Sequence, residues 1–144
     1  LGDDTVILFR KHHYVADQVP ADADGFVRDV SKYPDGTELM LAADVLLTDY
    51  SSMMFDFANT GRPMLFFTYD LEAYGDEIRG FYVDYVATVP GPMLSTTDEV
   101  ADALRDLDQV RAGYAARYAE FTRRFCELDD GRASQRVVDR IFDL

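Results

Sequence analysis

Four short apolar runs divide the first half of the chain, and each has the length typical of a β-strand. The first run is continuously apolar, which is the pattern of a strand buried on both faces. The sequence therefore predicts four strands. They occupy residues 6–9, 26–30, 45–48 and 64–68.

Helical patterns lie between the apolar runs. Residues 37–43 predict a short helix, and Pro34 suits its first helical position. Residues 52–60 predict a second helix, which Gly61 ends. Residues 16–25 predict a loop or a short broken helix. Strands that alternate with helices predict an α/β fold with a parallel, Rossmann-like sheet of four or five strands.

The rest of the chain predicts a helical carboxyl-terminal half after a long irregular connection. Residues 69–92 are rich in aromatic residues and interrupted by glycine. A connection of this length is more often a functional loop than a simple linker between two elements. Thr96 and Glu99 form a capping box that opens the next helix. A turn at residues 129–131 precedes a closing helix over residues 133–142. Between them runs a helical stripe that predicts core or interdomain packing, formed by Tyr114, Tyr118, Phe121 and Phe125.

The turn after the third strand carries the most informative residues. Residues 44–57 are Asp-Val-Leu-Leu-Thr-Asp-Tyr-Ser-Ser-Met-Met-Phe-Asp-Phe. A strand, a hydroxyl-rich turn and a helix N-terminus together leave backbone N–H groups free to meet an anion. We therefore predict that Ser51 and Ser52 bind a phosphate. Asp56 follows Ser52 by one helical turn and is predicted to bind a ribose diol, which makes the motif a nucleotide-diphosphate site.

Each of these residues also has a structural interpretation. A serine before a helix is commonly an N-cap, and this role is compatible with phosphate binding. Asp49 either contacts the ligand or orients the turn by accepting backbone N–H bonds. Asp56 is otherwise a favourable carboxylate in the first helical turn. Tyr50 is interpreted as a packing residue.

Composition narrows the classes of partner. The 144 residues are 48% apolar, which fits a single globular domain. The formal net charge of −13 argues against nucleic acid as a partner and against a polybasic membrane-binding surface. A phosphorylated ligand remains compatible with this charge, because one or two arginines can hold it locally. The single Cys126 cannot form an internal disulfide and is interpreted as buried and inert. The chain reaches its first apolar run within five residues and without a preceding element, which predicts a piece of a longer polypeptide.

The motifs together resemble the CDP-glycerol glycerophosphotransferases, the teichoic acid polymerase family. Arg10-Lys-His-His-Tyr14 is similar to the family's motif of a basic residue followed by histidine, and residues 129–134 are similar to its closing segment. The main matching segments keep the family's order and spacing. They are residues 43–57, Arg62-Pro63, residues 66–74, residues 79–82 and residues 90–92.

The resemblance implies a two-domain transferase of the GT-B arrangement. Residues 1–144 would be its carboxyl-terminal domain, which holds the CDP-linked donor, and the acceptor-binding amino-terminal domain would be absent. The isolated chain is then expected to be inactive. The implied donor is CDP-glycerol or a related CDP-polyol, and the implied acceptor is a lipid-linked wall polymer. The implied location is cytoplasmic, at the inner face of the plasma membrane, with membrane contact made by the absent regions.

The implied reaction moves a polyol phosphate to a hydroxyl and releases CMP, which requires a base and groups that hold the phosphoryl oxygens. His12 is the implied catalytic histidine, and His13 stays open as the alternative. Arg79 is implied to pair with the pyrophosphate, although a surface salt bridge is its alternative. No cofactor is implied, and no residue spacing indicates a metal site. A Mg²⁺ ion held loosely by the pyrophosphate is compatible with the sequence but is not required by it. The substrate-binding candidates are Arg10, Thr48, Asp49, Ser51, Ser52, Asp56 and Arg79.

Two other functions fit the same residues. One is a nucleotide-sugar glycosyltransferase of GT-B fold that acts on capsule or wall polysaccharide. The other is a non-catalytic donor-domain module. A preference for CDP over UDP and GDP separates the first alternative from the main hypothesis, and a loss of nucleotide binding in a folded chain supports the second.

Overall fold

The computed structural model describes residues 1, 5–12, 25–71 and 83–142. The chain divides into two compact units, Leu1–Asp44 and Val45–Leu144. The α/β class and the parallel strands are confirmed. The described strands form two sheets, one of two strands in the first unit and one of three strands in the second.

The first unit pairs two short parallel strands, β1 (Ile7–Phe9) and β2 (Val27–Asp29). The prediction that the first strand is buried on both faces is wrong, because Leu8 is 38% exposed and Phe9 is 40% exposed. Among the described residues β1 has a single strand neighbour. Its continuous apolar character therefore does not correspond to the burial of a central strand.

Helix α1 (Gly36–Ala42) completes the described part of the first unit. It begins after the capping residue Asp35, whose carboxylate accepts a hydrogen bond from the Thr37 amide at 2.8 Å. Pro34 thus lies before the cap, and its predicted place at the first helical position is wrong. The aspartate satisfies an amide that would otherwise lack a partner, so the helix start follows the cap and not the proline.

The sheet of the second unit consists of β3 (Leu46–Thr48), β4 (Met64–Phe67) and β5 (Met93–Leu94). The strand order is β3-β4-β5, and both pairings are parallel. β4 is the central strand, and three of its four residues are at most 1% exposed. The sequence did not predict β5, since a strand of two residues has no measurable periodicity.

Six helical segments follow among the described residues of the second unit. The prediction for residues 52–60 is confirmed in position, with a last turn that is a 3₁₀ turn ending at Gly61, whose φ is 68°. The short helix α3 lies inside the connection predicted to be irregular. The segments are α2 (Met53–Phe57), the 3₁₀ turn (Ala58–Thr60), α3 (Tyr85–Thr88), α4 (Thr97–Arg105), α5 (Leu107–Phe125) and α6 (Ala133–Phe142).

The capping box that opens α4 is confirmed. The Glu99 amide donates to the Thr96 hydroxyl at 3.2 Å, and the Thr96 amide donates to the Glu99 carboxylate at 3.2 Å. Two donors that helix geometry leaves unpaired are satisfied by this reciprocal pair. Val100, which follows Glu99, packs into the core against Leu65 and Leu94.

The aromatic stripe of α5 packs against α2, which confirms the core packing predicted as one of its two roles. The Phe121 ring stacks on Phe55 with a centroid distance of 5.4 Å, and Phe125 meets Phe55 edge-on at 5.0 Å. The Tyr118 hydroxyl donates to the carbonyl oxygens of Ala58 and Arg62 at 3.1 and 3.0 Å. Burial, followed by the nearby Cys126, raises the pKa of Tyr118 to about 12. The α2 segment is thus held by both apolar and polar contacts to α5.

The closing helix α6 is attached through polar contacts at its start. Arg136 donates to the Asp130 carboxylate at 2.6 Å and to the Leu128 carbonyl at 2.6 Å. The hydrogen bond from Arg136 lowers the pKa of Asp130. Apolar side chains of α6 are exposed, with Ile141 and Phe142 each at 66%. Across the described residues, no helix combines the length and the apolar character that crossing a membrane requires.

Two glycines of the second unit give opposite stability predictions. Gly91 is buried, and a Cβ at this position would lie 1.9 Å from the Met64 carbonyl oxygen. We expect Gly91→Ala to push the chain away from β4 and to lower the free energy of unfolding by about 3 kcal/mol. Urea unfolding measures this change.

The matched control is Gly113→Ala on α5, where a Cβ would have no atom within 4 Å. Alanine loses less backbone entropy than glycine in a helix, so we expect a gain of about 0.5–1 kcal/mol. Equal effects of the two substitutions would contradict the close approach of Gly91 to β4.

Candidate functional site

The predicted strand–turn–helix arrangement is present in the second unit. Thr48 is the last residue of β3 and lies opposite Phe66 of β4. The turn of residues 49–52 follows, and α2 begins at Met53. Because β3, β4 and β5 are parallel, this turn lies at the carboxyl edge of their sheet, which is the edge where ligands of parallel sheets bind.

The two serines of the turn have different roles. The Ser51 hydroxyl accepts a hydrogen bond from the Met53 amide at 3.2 Å, so Ser51 acts as the cap. Ser52 occupies the N-cap position with helical backbone angles and makes no side-chain cap bond. The capping interpretation of serine is therefore confirmed for Ser51 and wrong for Ser52. Ser52 is exposed, and Ser51 is half-buried.

The first amides of the helix are mostly occupied. The amide of Met54 donates to the Ser51 carbonyl at 3.4 Å, and that of Phe55 donates to the Ser52 carbonyl at 3.1 Å. Together with the Met53 amide, three donors are thus satisfied within the segment. For the described part of the chain, the hydrogen bonds show no acceptor for the Ser51 and Ser52 amides. An anion at the turn would therefore meet these two amides and the serine hydroxyls, and not the amides of α2.

The short length of α2 also matters for the electrostatics of the turn. Five residues align few peptide dipoles, so the macrodipole of α2 adds little to the binding of a distant charge. Local N–H and O–H groups carry the interaction instead. A Ser51 hydroxyl that accepts from Met53 still has its own hydrogen to donate.

Asp49 and Tyr50 are fixed by two aromatic hydroxyl groups. The Tyr85 hydroxyl donates to the Asp49 carbonyl oxygen at 2.8 Å, and the Tyr50 hydroxyl donates to the Asp70 carboxylate at 2.8 Å. The rings of Tyr50 and Tyr85 meet edge-on with centroids 5.5 Å apart. Burial and the bond to Asp70 raise the pKa of the Tyr50 hydroxyl well above its usual range.

These contacts refine two predictions from the sequence. The packing role of Tyr50 is confirmed, and a hydrogen bond is added to it. The Asp49 carbonyl oxygen accepts from Tyr85 and its side chain is exposed, so the contact with the turn is made by the backbone and not by the predicted side chain. The ligand contact of Asp49 stays a prediction. Sequence reasoning did not find Tyr85 and Asp70. Their position in the aromatic connection after β4 was the available signal, but their partners lie 36 and 20 residues away in the chain.

Asp56 lies on an exposed part of α2, one turn after Ser52. Its carboxylate interacts electrostatically with Cys126. The Cys126 thiol donates to the Phe55 carbonyl at 3.6 Å. Burial raises the pKa of Cys126, and the carboxylates of Asp129 and Asp56 raise it further. The thiol is half-buried instead of fully buried, and its raised pKa is consistent with low reactivity.

Arg10 and His12 belong to the first unit. The Arg10 guanidinium donates to the Tyr33 carbonyl at 2.8 Å and lies near Gly36 at the start of α1. His12 is exposed, and the amide of the preceding Lys11 donates to the Ser31 hydroxyl at 3.1 Å. His13 and Arg79 lie outside the described residues, so their predicted roles stay predictions.

Two surface grooves lined by described residues of the second unit run along α5. The larger has a volume of about 570 Å³ and lies between Asn59, Tyr118 and Cys126. The other lies between Pro63, Pro90 and Tyr114. Neither groove is lined by residues 48–52, which lie at the carboxyl edge of the β3-β4-β5 sheet. No group of three metal-ligating side chains occurs within the described ranges.

The fold and the turn define the class of protein. It is an α/β domain with a serine-rich turn at the carboxyl edge of a parallel sheet. A family model described as CDP-Glycerol:Poly(glycerophosphate) glycerophosphotransferase matches residues 1–143. The chain belongs to this family.

Curated relatives and a solved structure agree with this assignment. The chain is 46% identical to the teichoic acid glycerol-phosphate transferase of Staphylococcus aureus (strain NCTC 8325 / PS 47), over 99% of this chain and 36% of the relative. It is 41% identical to the teichoic acid poly(glycerol phosphate) polymerase of Bacillus subtilis (strain 168), over 99% of this chain and 19% of the relative.

The solved structure is that of a variant of the wall teichoic acid polymerase TagF with CDPG after a 30 minute soak. It matches with a TM-score of 0.86 and 42% identity, over 99% of this chain and 36% of that chain. The chain thus spans about a third or less of the length of these proteins.

The different roles of the two serines predict different effects on stability. Ser51→Ala removes the acceptor of the Met53 amide, so we expect the free energy of unfolding to fall by about 1 kcal/mol. Ser52→Ala removes no cap bond and is expected to change it by less than about 0.5 kcal/mol. Urea unfolding of the two variants compares them. A larger loss for Ser52→Ala would contradict the assignment of the cap.

Proposed function

We propose that this chain binds the CDP-linked donor of a teichoic acid glycerophosphotransferase. The serine turn carries the proposal, because Ser52 is exposed at the carboxyl edge of the β3-β4-β5 sheet and its amide has no acceptor among the described residues. The family description and the relatives' names support glycerol phosphate as the transferred group. The similarity to the TagF variant soaked with CDPG supports a CDP-linked donor.

In this proposal the diphosphate of CDP-glycerol lies at Ser51 and Ser52. Their amides and hydroxyls donate to the phosphate oxygens, and Thr48 and Asp49 border the same edge. Asp56, one turn further, accepts hydrogen bonds from the ribose hydroxyls. Arg79 pairs with the pyrophosphate, since a guanidinium donates two parallel hydrogen bonds to phosphate oxygens.

The proposed reaction transfers glycerol phosphate to the hydroxyl at the end of a wall polymer. The acceptor oxygen forms a bond to the distal phosphorus, and the bond from that phosphorus to the bridging oxygen breaks, so that CMP leaves. His12 accepts the hydroxyl proton, a role that suits an imidazole near neutral pH. Arg10 lies two residues before His12 and completes the basic motif.

The acceptor side of the proposal depends on parts of the longer relatives. We propose that the lipid-linked acceptor and the contact with the inner face of the plasma membrane belong to those parts. This chain alone is then a donor-binding module that does not complete transfer.

Donor binding is tested at the exposed serine. We expect calorimetric titration to give binding of CDP-glycerol with a preference for CDP over UDP and GDP. Ser52→Gln fills the space of the phosphate and should weaken CDP binding by at least about tenfold, which corresponds to about 1.4 kcal/mol. The matched control is Ala116→Gln, which adds a similar side chain on an exposed part of α5. Unchanged CDP affinity in Ser52→Gln would falsify the proposal that the serine turn binds the diphosphate.

The catalytic histidine is tested in a chimera in which this chain replaces the matching part of the Staphylococcus aureus relative. We expect His12→Asn to lower the rate of CMP release by about 10²–10⁴, the usual loss of a general base. Affinity for CDP-glycerol should change much less. His13→Asn is the matched control and should keep most of the rate. A loss confined to His13→Asn would move the role to that residue.

A further inference from the structure

We propose that Tyr85 is a positioning residue for the donor, and that its hydroxyl holds the serine turn in the conformation that binds phosphate. The inference rests on the proposed function, and it adds a residue from the connection after β4 to the site. The Tyr50–Asp70 hydrogen bond is its second element. Neither Tyr85 nor Asp70 belongs to the turn motif that indicated the site.

Tyr85 is held rigidly at the start of α3. It is 3% exposed, and its ring meets Phe66 of β4 at nearly a right angle with centroids 6.2 Å apart. The carboxylate of Asp84 caps the helix by accepting from the Ala87 amide at 3.0 Å. Arg117 of α5 donates to the Val86 carbonyl at 2.7 Å, which ties α3 to α5. The hydroxyl of Tyr85 is therefore a donor in a fixed position.

This donor determines the direction of one peptide group in the turn. The Tyr85 hydroxyl donates to the Asp49 carbonyl at 2.8 Å. Because a peptide group is planar and trans, the Tyr50 N–H must point the opposite way, away from Tyr85. The backbone thus enters Tyr50, the residue before Ser51, from a fixed peptide plane. A rotation of this plane would redirect the following amides, which the proposed function assigns to the phosphate.

The second contact, between Tyr50 and Asp70, fixes the same turn through the side chain of Tyr50. The Tyr50 hydroxyl donates to the Asp70 carboxylate at 2.8 Å, and Asp70 follows the end of β4. A hydrogen bond to a charged acceptor is roughly twice as strong as one between neutral groups. The turn is consequently attached to β4 through Asp70 and to α3 through Tyr85. Two attachments of different chemistry leave little freedom for the backbone between them.

A structural role alone would explain the burial of Tyr85, so a control is needed. Tyr118 provides it, because its hydroxyl also donates to backbone carbonyls, those of Ala58 and Arg62, at 3.1 and 3.0 Å. These carbonyls lie in the 3₁₀ turn and before β4, beyond the far end of α2 from the serines. Tyr118→Phe removes comparable hydrogen bonds without touching residues 49–52.

The experiment measures CDP affinity and unfolding free energy for the parent chain, Tyr85→Phe and Tyr118→Phe. We expect both variants to lose stability and only Tyr85→Phe to lose affinity, by about fivefold, the factor for one hydrogen bond. Amide hydrogen exchange adds a readout without ligand: exchange at residues 50–52 should accelerate in Tyr85→Phe and stay unchanged in Tyr118→Phe.

The outcomes separate this inference from the proposed function. If the parent chain binds CDP and Tyr85→Phe binds equally well, the positioning role is overturned while the donor site stands. Equal affinity losses in both tyrosine variants also overturn it, because the effect is then one of general stability. If the parent chain shows no CDP binding, the proposed function and the inference fail together.

A double-mutant cycle tests the second element. Tyr50→Phe removes the donor and Asp70→Ala removes the acceptor of the same hydrogen bond, so the double variant should bind CDP no more weakly than the weaker single variant. Additive losses would show that the two side chains act separately and would overturn their role as one attachment.

Discussion

The structure of the second unit depends on the burial of β4. This strand is hydrogen-bonded on both sides, to β3 and to β5, and the side chains of Met64, Leu65 and Phe66 are almost completely removed from water. Burying three such side chains stabilises the fold by roughly 1.5–3 kcal/mol each. β4 pairs with β3 at residues 64–66 and with β5 at residues 66–67, and both pairings are parallel. The carboxyl ends of β3 and β5 are thus brought to a common edge.

The candidate site inherits its geometry from this strand. Phe66 supports the ring of Tyr85, and the hydroxyl of Tyr85 meets the Asp49 carbonyl. Just beyond β4, Asp70 accepts from Tyr50. The serine turn is therefore attached to the core at two points. Loops that carry binding groups act with precision when a rigid scaffold positions them, and here that scaffold is β4 with its neighbours.

Much of the local structure follows from short-range patterns. The strand before the serines, the helix after them, the end at Gly61 and the capping box at Thr96 all rest on residues a few positions apart. Such features need no information about distant parts of the chain. The capping role of Asp35 before α1 was missed because two local signals compete there, the proline and the aspartate. The β5 strand was missed because its two residues become a strand only through pairing with β4.

The sequence by itself determined the α/β alternation, the family and the position of the serine turn, since each is encoded in contiguous or regularly spaced residues. Only the tertiary structure decided which serine caps α2, how exposed β1 is, and which side chains hold the turn. Tyr85 and Asp70 contact the turn from 36 and 20 residues away. No periodicity or motif links residues so far apart. Their partnership arises when the packing of α3 and β4 brings a donor within hydrogen-bond distance of a carbonyl, and a carboxylate within reach of a hydroxyl.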